Sequence, residues 1–404
     1  MADVLYITQN GVTDHIGRSQ VAPYLIGLAQ QGFSIHVLSA EKPGRHELIT
    51  RYGRDFGAAG VEWTHVPYRM SPSYVGQAWT QLDMRAAARR IVRSEGVRVV
   101  HCRSFTPALI GWELQRRFGV KFIFDFRDFY ADGGIAKARG FKKALSRGLK
   151  RVEGPLIRAS AKVVCLTDKA ASVLAEWYLA DDPKAPAHFQ VVPCCADFSH
   201  FDPRRVSEAD LAKARAIAGV RPDDFVLLYL GSLGPDYLLD RMMALFVQFM
   251  KERSSARFVF LSNNGEELVQ AVRAAHGVSR ERISFITVDR DEVPAFLVIA
   301  DASVIFIRAD ISKAGCSPTK LAELFACGVP VLANSGVGDL DRIIDPKKNG
   351  SVLVADLSDF SLREAAQKML ARDRTVPIRD NSRQFDLCAG VAKYAAVYRQ
   401  LLAN

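Results

Sequence analysis

The sequence predicts an α/β protein built of two Rossmann-like, doubly wound halves. Three observations carry this. The chain opens with a strand–loop–helix–strand unit: Val4 to Ile7 is a short apolar run, Thr8 to Ser19 a polar loop containing Gly11 and Gly17, Val21 to Gln31 has helical period and stops at Gly32, and Ser34 to Ser39 is a second apolar run. The pattern restarts at Phe225 to Leu230, which runs into the turn Gly231-Ser232-Leu233-Gly234-Pro235-Asp236-Tyr237. A chain of 404 residues is also longer than one core usually organises. The first loop lacks the G-x-G-x-x-G spacing, so it is not a dinucleotide fingerprint.

In order, the first half continues with a strand at Val61 to Val66 and a loop at Tyr68 to Trp79 rich in Ser, Pro and aromatics. A basic amphipathic helix follows over Gln81 to Ser94, then a strand at Arg98 to Cys102. Thr106 to Phe118 reads as a helix and Lys121 to Asp125 as a strand followed by F-R-D-F-Y-A-D-G-G. Arg127, Asp128 and Asp132 thus fall at a strand's carboxyl end, where open α/β sheets bind ligands. Lys137 to Arg158 holds eight basic residues against the single acid Glu153, with Phe141, Leu145, Leu149, Val152 and Leu156 interleaved. Such a stretch can lie on an anionic membrane surface or form a solvated face. Lys162 to Thr167 is the last strand of this half, and Lys169 to Tyr178 a helix. In the second half, Arg257 to Leu261, Ile283 to Thr287 and Ser303 to Ile307 read as strands, Val293 to Asp301 as a helix, and Ala389 to Leu402 as the last helix.

Composition narrows the function classes. Hydrophobic residues make up 49% and charged residues 24%, a soluble globular balance, and the formal net charge is +10. A basic surplus points to an anionic contact: a nucleotide-sugar, nucleic acid or an acidic membrane face. No nucleic-acid motif accompanies the charge, so nucleic acid is not expected. The seven cysteines are scattered, with no metal-ligand spacing, and read as reduced thiols of a cytoplasmic protein. No charged-then-apolar leader opens the chain, and Asp301 splits the longest apolar runs, so neither a signal peptide nor a membrane span is expected.

The most informative stretch is Gly315 to Gly338, G-C-S-P-T-K-L-A-E-L-F-A-C-G-V-P-V-L-A-N-S-G-V-G. Ser317 is placed to cap a helix and Pro318 to take its first position. Leu321, Leu324 and Phe325 form an apolar stripe, Gly328 supplies a left-handed stop, and Val331 to Ala333 make a buried strand. Lys320 and Glu323, three apart, share a face near the helix start. Backbone N–H groups there attract an anion such as a diphosphate, and a carboxylate one turn deeper can hold two ribose hydroxyls. An ordinary core helix with a solvated ion pair is the plainer reading.

This stretch resembles the donor-binding signature of retaining glycosyltransferases of the large family four, through Glu323, the small-residue turn Ala326-Cys327-Gly328, Pro330 and Val331. The S-P-T-K opening resembles a bacterial branch that builds cell-surface polysaccharides. The resemblance implies a GT-B fold, two Rossmann-like domains facing across a cleft. Residues 1–198, joined by the terminal helix 385–404, would form the acceptor domain, and 199–384 the nucleotide-sugar donor domain. Val191 to Phe201 is similar to the family's hinge, with Cys194-Cys195 replacing its usual Asn-Gly.

The resemblance also distributes roles. Glu323 holds the ribose; Ser317, Thr319 and Lys320 meet the diphosphate; Gly231 and Ser232 approach the phosphates; the backbone near Val288 meets the base. Gly17 and Arg18 lie in the loop over the donor phosphates and acceptor, unless Gly17 only permits a turn and Arg18 is solvated. Asp128 orients or deprotonates an acceptor hydroxyl, unless it only pairs locally, and His101 is a hydrogen-bond donor near the sugar. Three positions depart from the pattern: Gly315 stands where many members carry a first glutamate, and Ser232 and Asp236 where an arginine and a lysine grip the diphosphate.

The expected activity is therefore transfer of a sugar from a nucleoside diphosphate sugar, uridine or guanosine, to a hydroxyl of a sugar or lipid-linked acceptor. The anomeric configuration is kept, no divalent metal is obligatory, no cofactor is needed besides the donor substrate, and residues 137–158 touch the inner membrane face. A GT-B epimerase and a degenerate nucleotide-sugar-binding scaffold remain as alternatives, the latter favoured by Gly315, Ser232 and Asp236.

Overall fold

A computed structural model describes residues 2–71 and 73–403. These fall into two compact units. The first comprises residues 1–194, 314–316 and 387–404; the second comprises 195–313 and 317–386. Each is a parallel sheet with helices on both faces.

The first sheet is formed by β1 (Val4–Thr8), β2 (Ile35–Glu41), β3 (Glu62–Pro67), β4 (Val99–Arg103), β5 (Lys121–Phe126), β6 (Lys162–Cys165) and β7 (Phe189–Val191), ordered 3-2-1-4-5-6-7. The second is formed by β8 (Val226–Leu230), β9 (Arg257–Leu261), β10 (Ile283–Ile286), β11 (Ala302–Ile305), β12 (Val331–Asn334) and β13 (Val352–Val354), ordered 10-9-8-11-12-13. Strand order reverses beside β1 in one and beside β8 in the other. These reversals mark where such sheets bind ligands, outside the strands' carboxyl ends. Central strands are buried on both faces, as parallel sheets require: β1, β2, β4 and β8 have no exposed residue.

In the first unit, Leu5, Val100, Phe122, Phe124 and Leu174 sit in a core on one face of the sheet. The other face carries the helix Leu387–Ala403, held by polar contacts. The Tyr398 hydroxyl lies 2.7 Å from His101 Nδ1, Arg127 Nη2 donates to the Tyr394 hydroxyl at 3.1 Å, and the helix's last carbonyls accept from Lys121 (2.8 Å, Leu401) and Arg98 (3.0 Å, Leu402). Cations there also complement the helix dipole. The second unit has its own aromatic core around Tyr229, Phe246, Phe249, Phe258 and Phe260. In it, Arg379 donates to the backbone carbonyls of Phe201 (2.7 Å), Phe198 (2.8 Å) and Ala326. That ties the last turn of the helix Thr319–Ala326 to the 198–201 segment.

Several local expectations change. The polar loop after β1 contains a short helix, His15–Gln20, so Gly17 and Arg18 are helical. The loop read over Tyr68 to Trp79 gives way at Ser73 to the helix Ser73–Glu95. The basic stretch is two helices, Tyr130–Lys137 and Gly140–Ala159, broken at Ala138, whose backbone is extended. The side chains of Lys137 and Phe141 lie outside the described residues. Ser317 does not cap its helix: Pro318 keeps an extended ψ of 118°, helical backbone starts at Thr319, and no side chain caps it. All seven cysteines are free thiols, and no described helix is long and apolar enough to cross a membrane.

Replacing Tyr398 by Phe removes the hydroxyl beside buried His101 and leaves an imidazole nitrogen without its partner. The expected cost is about 1–2 kcal/mol, read as a lower midpoint in urea unfolding; an unchanged midpoint would show that the contact carries no net stability.

Candidate active site

The helix Thr319–Ala326 follows the irregular segment after β11 and leads through Gly328 (φ +75°) into β12. Its buried face carries Leu321, Leu324 and Phe325. Lys320 is also buried, 8% exposed. Its ammonium lies 4.2 Å from the ring centroids of both Tyr229 and Tyr237 and donates to the Tyr229 hydroxyl at 3.1 Å. The two rings meet edge to face, 5.9 Å apart. Electron-rich ring faces stabilise a cation taken out of water. The Tyr229 hydroxyl passes its own proton towards the Ser232 carbonyl at 2.8 Å. Burial raises this phenol's pKa, so it stays neutral. Gly231 must be glycine for two reasons: its φ is +103°, and a Cβ would lie 3.2 Å from the Lys320 ammonium.

Glu323, one turn further on, is 8% exposed. Its Oε1 accepts from Arg290 Nη1 at 3.1 Å. Arg290 comes from the segment after β10, two residues past the half-buried Val288. Its guanidinium lies over the Phe201 ring at 5.2 Å, and its carbonyl is 3.3 Å from His200 Nε2. Burial pushes the Glu323 carboxyl above its ordinary range, and Arg290 and Lys320 offset this only partly. The site therefore holds a carboxylate that is costly to ionise without a ligand. Ser317 and Thr319, at the helix start, are half-buried.

The loop after β8 folds onto the segment before this helix. Tyr237 bridges to Ile307, the Asp236 carbonyl accepts from Arg308 N at 2.8 Å, and the Asp236 carboxylate pairs with Lys313 Nζ at 2.7 Å. Ser232 is exposed. Lys320, Glu323, Gly231, Ser232 and Val288, with Ser317 and Thr319, thus belong to one unit, around the carboxyl ends of β8, β10 and β11. Sequence reasoning missed Arg290, Tyr229, Tyr237 and Lys313. For Arg290, its place two residues past the candidate Val288 was the available signal.

The remaining candidates belong to the first unit. Gly17 is buried against the loop before it: a Cβ would lie 2.1 Å from the Gly11 carbonyl and 2.5 Å from that of Val12. That loop hangs on Glu41, unforeseen at the end of β2, whose carboxylate accepts from Val12 N (2.6 Å), Thr13 N (3.2 Å) and Ser39 Oγ (2.7 Å). Arg18 Nη2 is 3.1 Å from His15 Nδ1. Asp128 is exposed just past β5. Gly315 lies against Asp128 and Phe129, where a Cβ would make an ordinary contact of 3.5 Å with the Phe129 ring.

His101 is buried within the first unit. Its side chain is 1% exposed, Nδ1 faces Tyr398 and Nε2 lies 3.3 Å from Asp125. It packs against the rings of Tyr6, Tyr394 and Tyr398. Burial lowers its pKa and keeps it neutral. Through Nδ1 it supports the terminal helix, while Nε2 faces Asp125 without a hydrogen bond of good geometry. Among the described residues one group has the ligand types for a metal ion, His36, Glu62 and Glu95, and it is in the first unit. Its imidazole is already engaged by Glu95 at 2.7 Å and Thr64 at 2.8 Å.

The raised Glu323 pKa sets a pH signature. The folded form holds this proton more tightly than the unfolded chain, so stability falls as pH rises from the unfolded value near 4.5 to the higher folded value. Glu323→Gln, which cannot ionise, is expected to melt at a higher temperature than the parent at pH 7–8 and to lose that advantage towards pH 4.5. Thermal scans across this range check it; a pH-independent difference would contradict the burial cost.

Comparison with known proteins follows the same division. Residues 19–194 match the family described as glycosyl transferase 4-like domain, and residues 224–372 match glycosyl transferases group 1. A D-inositol 3-phosphate glycosyltransferase of Segniliparus rotundus is 25% identical over 285 residues, 68% of this chain and 59% of the relative. The chain spans about three fifths of the length of the curated relatives it matches. Two solved structures share the fold at low identity. HepE of Anabaena in complex with UDP-glucose has a TM-score of 0.70 at 13% identity, covering 99% of this chain and 100% of that one. WaaG, a glycosyltransferase involved in lipopolysaccharide biosynthesis, has 0.65 at 17%, covering 98% and 99%. The two family matches together take in most of the chain, and with its pair of parallel-sheet Rossmann-like domains it belongs to the group 1 glycosyltransferases of GT-B fold.

Proposed function

We propose that this chain is a retaining glycosyltransferase that moves a sugar from a UDP- or GDP-sugar to a hydroxyl of a sugar or lipid-linked acceptor, in the making of cell-surface polysaccharide or glycolipid. The single observation that carries it is the helix Thr319–Ala326, with a caged cation on its first turn and a buried carboxylate one turn deeper. HepE, described with UDP-glucose, and WaaG, described in lipopolysaccharide biosynthesis, support the donor class and the setting.

In this reading Glu323 accepts hydrogen bonds from the two ribose hydroxyls, and Arg290 keeps it aligned until they arrive. The backbone near Val288 meets the base. Ser317, Thr319 and the Gly231-Ser232 turn approach the diphosphate. Lys320 and the helix start stabilise the charge that grows on the diphosphate as its bond to the anomeric carbon breaks. The new bond forms from the acceptor oxygen on the same face of the sugar, and the hydroxyl proton leaves to the departing phosphate oxygen or to Asp128. Gly17 and Arg18 bracket the acceptor side. No step calls for a metal ion. The basic helix Gly140–Ala159, where Lys143, Arg147 and Arg151 accompany the exposed Leu145, would rest on the anionic inner membrane face, beside a lipid-linked acceptor.

Glu323→Ala is expected to weaken nucleoside diphosphate binding by at least about tenfold, the worth of one charge-assisted contact. Calorimetry with UDP and GDP checks this, and unchanged affinity would remove Glu323 from the ribose. A panel of UDP- and GDP-sugars assayed with and without acceptor tests the reaction: acceptor-dependent turnover supports transfer, acceptor-free epimerised product supports an epimerase, and binding without turnover supports a scaffold.

A further inference from the structure

The turn after β8 presents a charge problem. The resemblance puts an arginine at 232 and a lysine at 236, and this chain has Ser232 and Asp236. A carboxylate in a turn meant for a diphosphate repels it, by several kcal/mol at close range inside a protein. The structure shows what faces that carboxylate. Lys313 Nζ lies 2.7 Å from Asp236 Oδ2, with the two side chains 18% and 28% exposed.

Lys313 is firmly placed. Its N–H donates to Asp310 O at 2.9 Å, and its carbonyl accepts from Gly338 N at 2.8 Å. Asp236 is held as well, through its carbonyl to Arg308 N. The ammonium has three donor positions, and Asp236 takes one of them. Next along the turn, Tyr237 forms one wall of the Lys320 cage. Two lysines from the far side of β11 therefore converge on adjacent residues of one turn.

We propose that Lys313 supplies, from the segment before the helix, the diphosphate-binding cation that the 231–237 turn lacks, with Asp236 as the positioning residue that holds its ammonium towards the phosphates. The cation has moved across the site, and the residue at the vacated position has become its anchor. This rests on the donor reading above and extends it to a residue that reading does not use. The ligand is a nucleoside diphosphate, and the contact is with its terminal phosphate.

The test is a calorimetric comparison of UDP with UMP and GDP with GMP on the full chain. For the base that binds, Lys313→Ala is expected to weaken the diphosphate about 10- to 100-fold, as loss of a charged contact does, and to leave the monophosphate within about threefold. The double variant Lys313→Ala with Asp236→Lys, which returns the cation to the turn, is expected to recover most of the diphosphate affinity. Lys313→Gln, which keeps the side chain's length, serves as a second variant if Lys313→Ala loses its far-UV circular dichroism. Equal losses for mono- and diphosphate, or none for either, would overturn the assignment. If Glu323→Ala abolishes binding while Lys313→Ala keeps full diphosphate affinity, the donor reading stands and this inference alone falls. If the unaltered chain binds no nucleoside diphosphate, both fall.

Discussion

The second unit is organised by the burial of one ammonium. Lys320 cannot leave water without compensation, since an isolated buried charge costs several kcal/mol. Tyr229 and Tyr237 provide it with two ring faces at 4.2 Å and one hydroxyl at 3.1 Å. Meeting that need fixes more than a side chain. Tyr229 is in β8 and Tyr237 is across the turn, so the cage sets the distance from turn to helix. Gly231 is then confined by the ammonium itself. The nearby carboxylate can be buried because Arg290 and Lys320 lower the cost of its charge.

The first unit is held around a comparable buried group. Burial alone would raise the pKa of Asp125, but Arg127, His101 and Arg103 outweigh it and hold the carboxyl below its ordinary value. Around it Tyr394, Tyr398 and Arg127 join the sheet to the helix Leu387–Ala403. In both units polar groups are buried in mutual contact, and mutual contact is the condition on which interiors accept them.

How much of this could be read from the sequence depends on whether partners are near in the chain. The two halves were legible, because buried parallel strands are short apolar runs bounded by glycine and polar turns. Lys320 and Glu323 were legible as a pair, because helical spacing puts residues three apart on one face. Gly328 was legible as a stop and does adopt a positive φ. The partners were not legible. Tyr229 meets Lys320 from 91 positions away, Lys313 meets Asp236 from 77, and Arg290 meets Glu323 from 33. The partner of His101 was not legible for the same reason. The place of His101 near a strand's carboxyl end suggests a ligand, but its side chain points to a helix 297 positions later. The short helix His15–Gln20 escaped because a buried residue outside the loop, Glu41, holds the segment before it.

Arg379 gives the helix Thr319–Ala326 a mechanical role. One guanidinium grips the carbonyl ending that helix and two carbonyls of the 198–201 stretch. Phe201 in turn lies beneath Arg290, the partner of Glu323. The loop closes: a shove on the strap at 198–201 reaches the helix at two points, its tail by way of Arg379 and its acid by way of Arg290.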